Sequence, residues 1–252
     1  MILDCENKET VFNSLASIFK CSEEDLVNVL RSRNVPEYYL ENGKYINIPM
    51  EYYLFDHVKQ IIGPPEIITT VCWFHSTRTT QNNIYKEGIL PLANSLARVW
   101  EMLIENAPSS EIGSRLRPLK DGGVMNSTYN AKISKAVEAG PFATLVKDLI
   151  FNLENLPFHD YTEMPEIVED ILKSIPTEED IDLRSHYERV LVPKIIKFSA
   201  PACGVGLVAT ALNYASDCSW GVPAGGWTNA CFDGEGTVIN NEQILKVETC
   251  KP

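Results

Sequence analysis

The stretch Thr69-Thr70-Val71-Cys72-Trp73-Phe74-His75-Ser76-Thr77-Arg78-Thr79-Thr80 constrains the fold more than any other part of the chain. From Thr70 to Phe74 every residue is β-branched, aromatic or Cys, so this half reads as a buried strand. The run then turns polar at His75-Ser76-Thr77-Arg78. An apolar strand needs a sheet and covering layers to bury it. Side-chain donors at its end either face a ligand or cap the next helix, and the local pattern leaves both open.

The 252 residues are enough for one large domain or two small ones, with a sizeable core. The apolar fraction of 44% and charged fraction of 22% are those of a globular protein. No apolar run has the length of a membrane span, so no membrane partner is expected. Met1-Ile2-Leu3-Asp4-Cys5-Glu6 has neither a basic nor an apolar signal region, which predicts a cytoplasmic protein. The seven cysteines are scattered without a CxxC pair. That spacing indicates neither a zinc site nor a disulfide framework, and reduced thiols suit the same compartment. A net charge of −12 argues against binding a phosphate backbone along a surface, but leaves room for a nucleotide in a local pocket.

Residues 1 to 65 read as a helical N-terminal region. Val11, Leu15, Ile18 and Phe19 share a helical face, and Ser22 caps a helix carrying Leu26, Val29 and Leu30. Tyr38, Tyr39, Tyr45, Tyr52, Tyr53 and Phe55 form an aromatic stretch that reads as core packing. After the strand, Asn82 or Asn83 is expected to cap a short helix ending at Gly88. Leu92, Leu96, Val99, Trp100, Leu103 and Ile104 define an amphipathic helix. The Gly-, Ser- and Pro-rich segment from Pro108 to Asn130 reads as a surface loop or lid. Further helices are predicted from Pro141, with Phe142, Leu145, Val146, Leu149 and Ile150 inward, from Pro165, and after a cap at Thr177 to Asp180. Lys194 to Phe198, Thr237 to Ile239 and Ile244 to Val247 read as strands, and Val205 to Tyr214 as either helix or strand. The predicted class is α+β, with small mixed or antiparallel sheets and a helical insertion at about 108 to 190 within a second region, 66 to 252.

No nucleotide-phosphate loop, dinucleotide fingerprint, zinc-protease helix or nucleophile elbow is present. Cys203 could serve as a thiol nucleophile with His75, His159 or His186 as base, or be a structural thiol.

Two stretches together resemble the ADP-ribosyltransferase superfamily, in its poly(ADP-ribose) polymerase-like and bacterial toxin-like forms. Phe74-His75-Ser76-Thr77-Arg78-Thr79-Thr80, then Ile84 and Gly88-Ile89-Leu90-Pro91, is similar to that family's first motif, a strand ending in His-Gly-Thr or His-Gly-Ser. Glu235-Gly236-Thr237-Val238-Ile239-Asn240-Asn241-Glu242-Gln243-Ile244 is similar to its last, in which a catalytic Glu opens a strand. About thirty residues carry the resemblance.

The resemblance implies an enzyme that takes NAD, cleaves its nicotinamide bond and transfers ADP-ribose to an acceptor or to water. In it His75 bonds the adenosine ribose. Ser76 stands where the family has Gly, whose backbone grips the nicotinamide amide. Thr77 orients the strand end, and Arg78 approaches the pyrophosphate. Glu235 stabilises the oxocarbenium-like transition state, and His75 and Glu235 sit at the ends of neighbouring strands facing one cleft. Tyr214 is the counterpart offered for the Tyr that stacks on nicotinamide, with Tyr129 a second candidate. The acidic charge favours a protein or small-molecule acceptor over nucleic acid. Two alternatives stand beside this one: a non-catalytic binding or inhibitory module of the same fold, and a thiol hydrolase built on Cys203.

Overall fold

The computed structural model describes the whole chain except Arg33 and residues 43–48, 135–139, 153–158, 176–181 and 251–252. The chain is α+β, as its sequence predicts. Its strands are β1 (Ile2–Leu3), β2 (Thr70–Thr79), β3 (Phe142–Thr144), β4 (Val192–Pro201), β5 (Cys231–Asp233) and β6 (Ile244–Thr249). Its helices are α1 (Lys8–Phe19), α2 (Glu23–Arg31), α3 (Val35–Asn42), α4 (Met50–Ile61), α5 (Leu92–Glu105), α6 (Ser110–Gly122), α7 (Ser127–Ser134), α8 (Glu166–Leu172), α9 (Leu183–Val190) and α10 (Val205–Trp220). The strands form one sheet in the order β5-β3-β2-β4-β6, with β1 parallel to the start of β2. No disulfide joins any two of the seven cysteines. Among the described residues no helix is long and apolar enough to cross a membrane.

The chain divides into two compact units. The first comprises Met1–Phe74, Thr144–Pro157 and Ser199–Cys231. Its helices start where local chemistry satisfies the orphan amides. Asn7 and Thr10 form a reciprocal capping box for α1, and Ser22 accepts from the amide of Asp25 at the head of α2. Val11, Leu15, Ile18 and Phe19 are buried as their spacing predicts, and α1 packs on α2 and α10. Of the predicted buried run Thr70 to Phe74, Val71 to Phe74 are buried and Thr70 is half-buried. Val205 to Tyr214 is helical, and α10 is buried over most of its length. In the aromatic stretch Phe55 is buried but Tyr38 and Tyr52 are exposed, with Tyr38 stacked on Tyr53 at 5.7 Å; Tyr45 lies outside the described residues.

The second unit comprises His75–Ala143, Phe158–Phe198 and Phe232–Pro252. Helices α5 to α9 enclose its core, which includes Trp100, Leu103, Leu116, Tyr129, Ile171 and Tyr187. Within this helical core the Trp100 indole donates to the Tyr129 hydroxyl, and the Tyr187 hydroxyl donates to the Leu103 carbonyl.

Four local expectations are corrected. Residues 108 to 130 are not a loop, since α6 and the first half of α7 occupy most of them. Ser109 caps α6, and Ile112 and Leu116 form a buried stripe within a segment whose Ser, Gly and Pro content suggests otherwise. No helix starts at Pro141; Phe142 to Thr144 is a strand paired with β2 at Phe74, Phe142 is exposed, and a 3-10 turn follows at Lys147–Phe151. Residues 82 to 88 form turns rather than a helix, because Asn83 spends its side chain on the Thr79 hydroxyl and the Tyr85 amide. Thr237 to Ile239 contributes a single bridge, from Ile239 to Ile89, in place of a strand. The predicted cap at Thr177 to Asp180 lies outside the described residues; α9 is capped by Asp182.

That bridge requires a glycine beside it. At Gly88, with φ +82°, an added Cβ would lie 2.0 Å from the Ile239 carbonyl oxygen. Gly88→Ala is expected to cost at least about 2 kcal/mol in a urea melt. An unchanged midpoint would contradict this close approach.

Candidate functional site

A cavity of about 1050 Å³ lies wholly within the second unit. Its walls are the polar half of β2 from His75 to Thr79, the segment 80–90, one face of α5, Gly140 to Phe142, and the start of α8. His75, Ser76 and Thr77 are half-buried at this wall, so the polar strand end does meet a cavity.

His75 Nδ1 lies 2.7 Å from the Phe142 carbonyl oxygen. A carbonyl only accepts, so Nδ1 carries the proton. Burial pushes the imidazole pKa below its ordinary value, against the opposing pull of that bond. The ring is therefore neutral near pH 7, and Nε2 holds a lone pair that can accept from a ligand hydroxyl.

Arg78 has a structural role besides the expected one. It is 8% exposed, and its guanidinium donates to four main-chain carbonyls: Leu191 at 3.1 Å, Thr162 at 2.6 Å, Glu163 at 3.2 Å, and Glu188. Four of its five N–H groups hold β2 against the turn at 160–164 and the end of α9. Arg78 also lines the cavity. Burial lowers its pKa, with Glu188, Asp160 and Glu163 opposing, but a guanidinium stays charged.

Lys194 does similar work one strand away. It is 3% exposed and donates to the carbonyls of Gln81 at 2.9 Å and Asn83 at 2.6 Å. Desolvation lowers its pKa. The loop it holds carries Tyr85, which borders the cavity and whose backbone is left-handed at φ +54°. The Tyr85 hydroxyl is buried without a hydrogen-bond partner, and burial drives its pKa far up. Lys194 and Tyr85 were not among the candidates drawn from sequence. A lysine interrupting an apolar strand was a signal for the first; no spacing rule foretells a left-handed tyrosine.

The two motif segments meet here. Ile89 and Ile239 exchange main-chain hydrogen bonds at 2.9 and 3.0 Å, and the Asn241 side chain donates to the Tyr85 carbonyl at 3.0 Å. Gly234 and Gly236 donate to the carbonyls of Pro141 and Gly140 at 3.0 and 2.9 Å, and Gly140 and Pro141 belong to the cavity wall. Glu235 is at the tip of that turn, exposed, at φ +48°, with its amide bonded to Asp233 Oδ1. Its side chain does not line the cavity as His75 does. β5, which ends two residues before Glu235, is not a neighbour of β2 either, because β3 lies between them.

The other candidates lie elsewhere. Tyr214 belongs to the first unit, buried in α10, with its hydroxyl donating to Asp148 Oδ2 at 2.6 Å. Tyr129 is in the core of the second unit. Cys203 is exposed ahead of α10 in the first unit, while His75, His159 and His186 belong to the second and each bond a main-chain carbonyl. Comparison with known protein families, with curated proteins and with solved structures finds no match for this chain.

Arg78→Lys separates the structural role from the expected one. A point charge cannot reach all four carbonyls that the fork serves. The variant should lose about 2 kcal/mol or more in a denaturant melt, as when buried acceptors lose their partners. Parental stability would contradict the structural assignment.

Proposed function

We propose that the chain is an ADP-ribosyltransferase-like enzyme that cleaves NAD between nicotinamide and ribose and passes ADP-ribose to an acceptor or to water. The observation that carries this reading is the meeting of the two motif segments. Residues 85–89 and 239–241 are far apart in sequence, yet bonded to each other beside one cavity bordered by His75 to Thr80.

In this reading NAD occupies the cavity, and His75 Nε2 accepts a hydrogen bond from a ribose hydroxyl. The main chain at Ser76 holds the carboxamide. The C–N bond breaks with its electron pair leaving on the ring nitrogen, so nicotinamide departs neutral and positive charge develops on the ribose. Glu235 approaches from the rim, and its carboxylate opposes that charge. Arg78 lines the same cavity and approaches the pyrophosphate in this reading, while its guanidinium also serves four carbonyls. The net charge of −12 supports a protein or small-molecule acceptor over nucleic acid. The absence of any disulfide among seven cysteines is compatible with a cytoplasmic setting.

A second reading, an inactive NAD-binding module, is favoured by the exposed side chain of Glu235 and by Ser76 in place of glycine. Labelled NAD distinguishes the two. The enzyme releases nicotinamide, and Glu235→Gln slows release by about a hundredfold or more with little change in affinity. Binding without release supports the module, and wild-type turnover in Glu235→Gln removes Glu235 from the mechanism.

The pH dependence follows from His75. Its lowered pKa keeps Nε2 unprotonated below the ordinary value of 6.5. NAD affinity, measured calorimetrically, should therefore be flat from alkaline pH down through 6.5 and fall only at lower pH, as Nε2 protonates. A decline centred at or above 6.5 would contradict the assigned environment.

A further inference from the structure

Strand β6 closes one end of the sheet, and its pairing with β4 determines which of its main-chain groups face outward. The register runs Lys194–Thr249, Ile195–Glu248, Ile196–Val247 and Lys197–Lys246, and the Cys250 amide donates to the Pro193 carbonyl at 2.9 Å. Hydrogen-bonded and non-hydrogen-bonded pairs alternate along an antiparallel ladder. Since the pair at Cys250 is hydrogen-bonded, those at Glu248 and Lys246 are too. Val247 and Thr249 therefore direct their N–H and C=O groups away from β4. Leu245 is the extra residue of a bulge, so the regular edge begins at Lys246. The edge is open to solvent: Val247 is 37% exposed and Leu245 55%. An edge of this kind is a template for another strand.

We propose that β6 pairs antiparallel with β6 of a second copy of this chain, about a two-fold axis at Val247. Charge selects both the occupant and the register. An axis at Lys246 sets lysine opposite lysine, and an axis at Glu248 sets glutamate opposite glutamate. Like charges directly opposite are destabilising. With the axis at Val247, each Lys246 faces Glu248 of the other copy. These are non-hydrogen-bonded pairs, where facing side chains come closest. The Val247 residues exchange main-chain bonds across the axis. Within one chain Lys246 and Glu248 are already ion-paired, so association joins two such pairs into a ring of alternating charge. The strand is its own electrostatic complement, the requirement of an isologous interface. One short strand buries less than the roughly 1,200 Å² of a stable interface, so the dimer is reversible and depends on concentration.

Sedimentation velocity on the full chain, from low micromolar to the highest attainable concentration, tests this. The parent should move from monomer to dimer as concentration rises. Lys246→Glu should weaken association at least about tenfold, the equivalent of 1.4 kcal/mol, and so should Glu248→Lys. The double variant Lys246→Glu/Glu248→Lys should restore it, because the swap regenerates every cross-strand pair. Circular dichroism shows whether these substitutions leave the fold intact, and restoration in the double variant excludes a folding defect as the cause. A parent that stays monomeric, a dimer indifferent to either single change, or a double variant that fails to associate would each overturn the proposal.

Discussion

The second unit depends on one buried guanidinium. Arg78 extends from the polar end of β2 to main-chain carbonyls at Thr162, Glu163, Glu188 and Leu191. Removing a cation from water costs several kcal/mol, and only dense hydrogen bonding offsets it. A planar fork with five donors can serve four carbonyls at once, which an ammonium cannot. These bonds tie the strand to chain segments far away in sequence, and one wall of the cavity rests on that tie. Lys194 repeats the device on the carbonyls of Gln81 and Asn83. In an acidic chain, two of its cations are buried to hold loops rather than to meet carboxylates.

This explains why the stretch at 69–80 supports both a ligand reading and a structural one. His75, Ser76, Thr77 and Arg78 all line a cavity, and the Arg78 guanidinium also holds main-chain carbonyls. Sequence spacing fixes neither outcome, because the carbonyls that claim Arg78 come from segments more than eighty residues away.

Elements with a clean period were legible, as α1, α5, β4 and β6 illustrate. Failures occurred where composition and pattern disagreed. Residues 108–130 carry the Gly, Ser and Pro of a loop, but Ser109 and the stripe Ile112 and Leu116 are enough for a helix once α5 offers a surface to pack on. Pro141 suits a first helical turn, so the sequence alone predicts a helix at Phe142 to Thr144. Pairing with β2 provides partners for the backbone that a local reading cannot see. Of the candidate site residues, those from His75 to Arg78 line the cavity, Glu235 does not, although the glycines on either side of it bond Gly140 and Pro141 of the cavity wall, and Tyr214 belongs to the other unit.

The turn bearing Glu235 concentrates the conformational cost near the site. Glu235 and Gly236 both have positive φ, 48° and 76°, and the Thr237 amide closes the turn on the Gly234 carbonyl at 2.8 Å. A left-handed glutamate costs about 1–2 kcal/mol, and outliers of this kind gather where function requires a particular geometry. The central claim is that the cavity receives NAD, and a crystal structure grown with NAD tests it most directly. The account predicts NAD in the cavity, with a ribose hydroxyl within hydrogen-bonding distance of His75 Nε2 and the ribose carbon bonded to nicotinamide turned toward Glu235. An empty cavity under saturating NAD, or NAD bound away from His75, would contradict it.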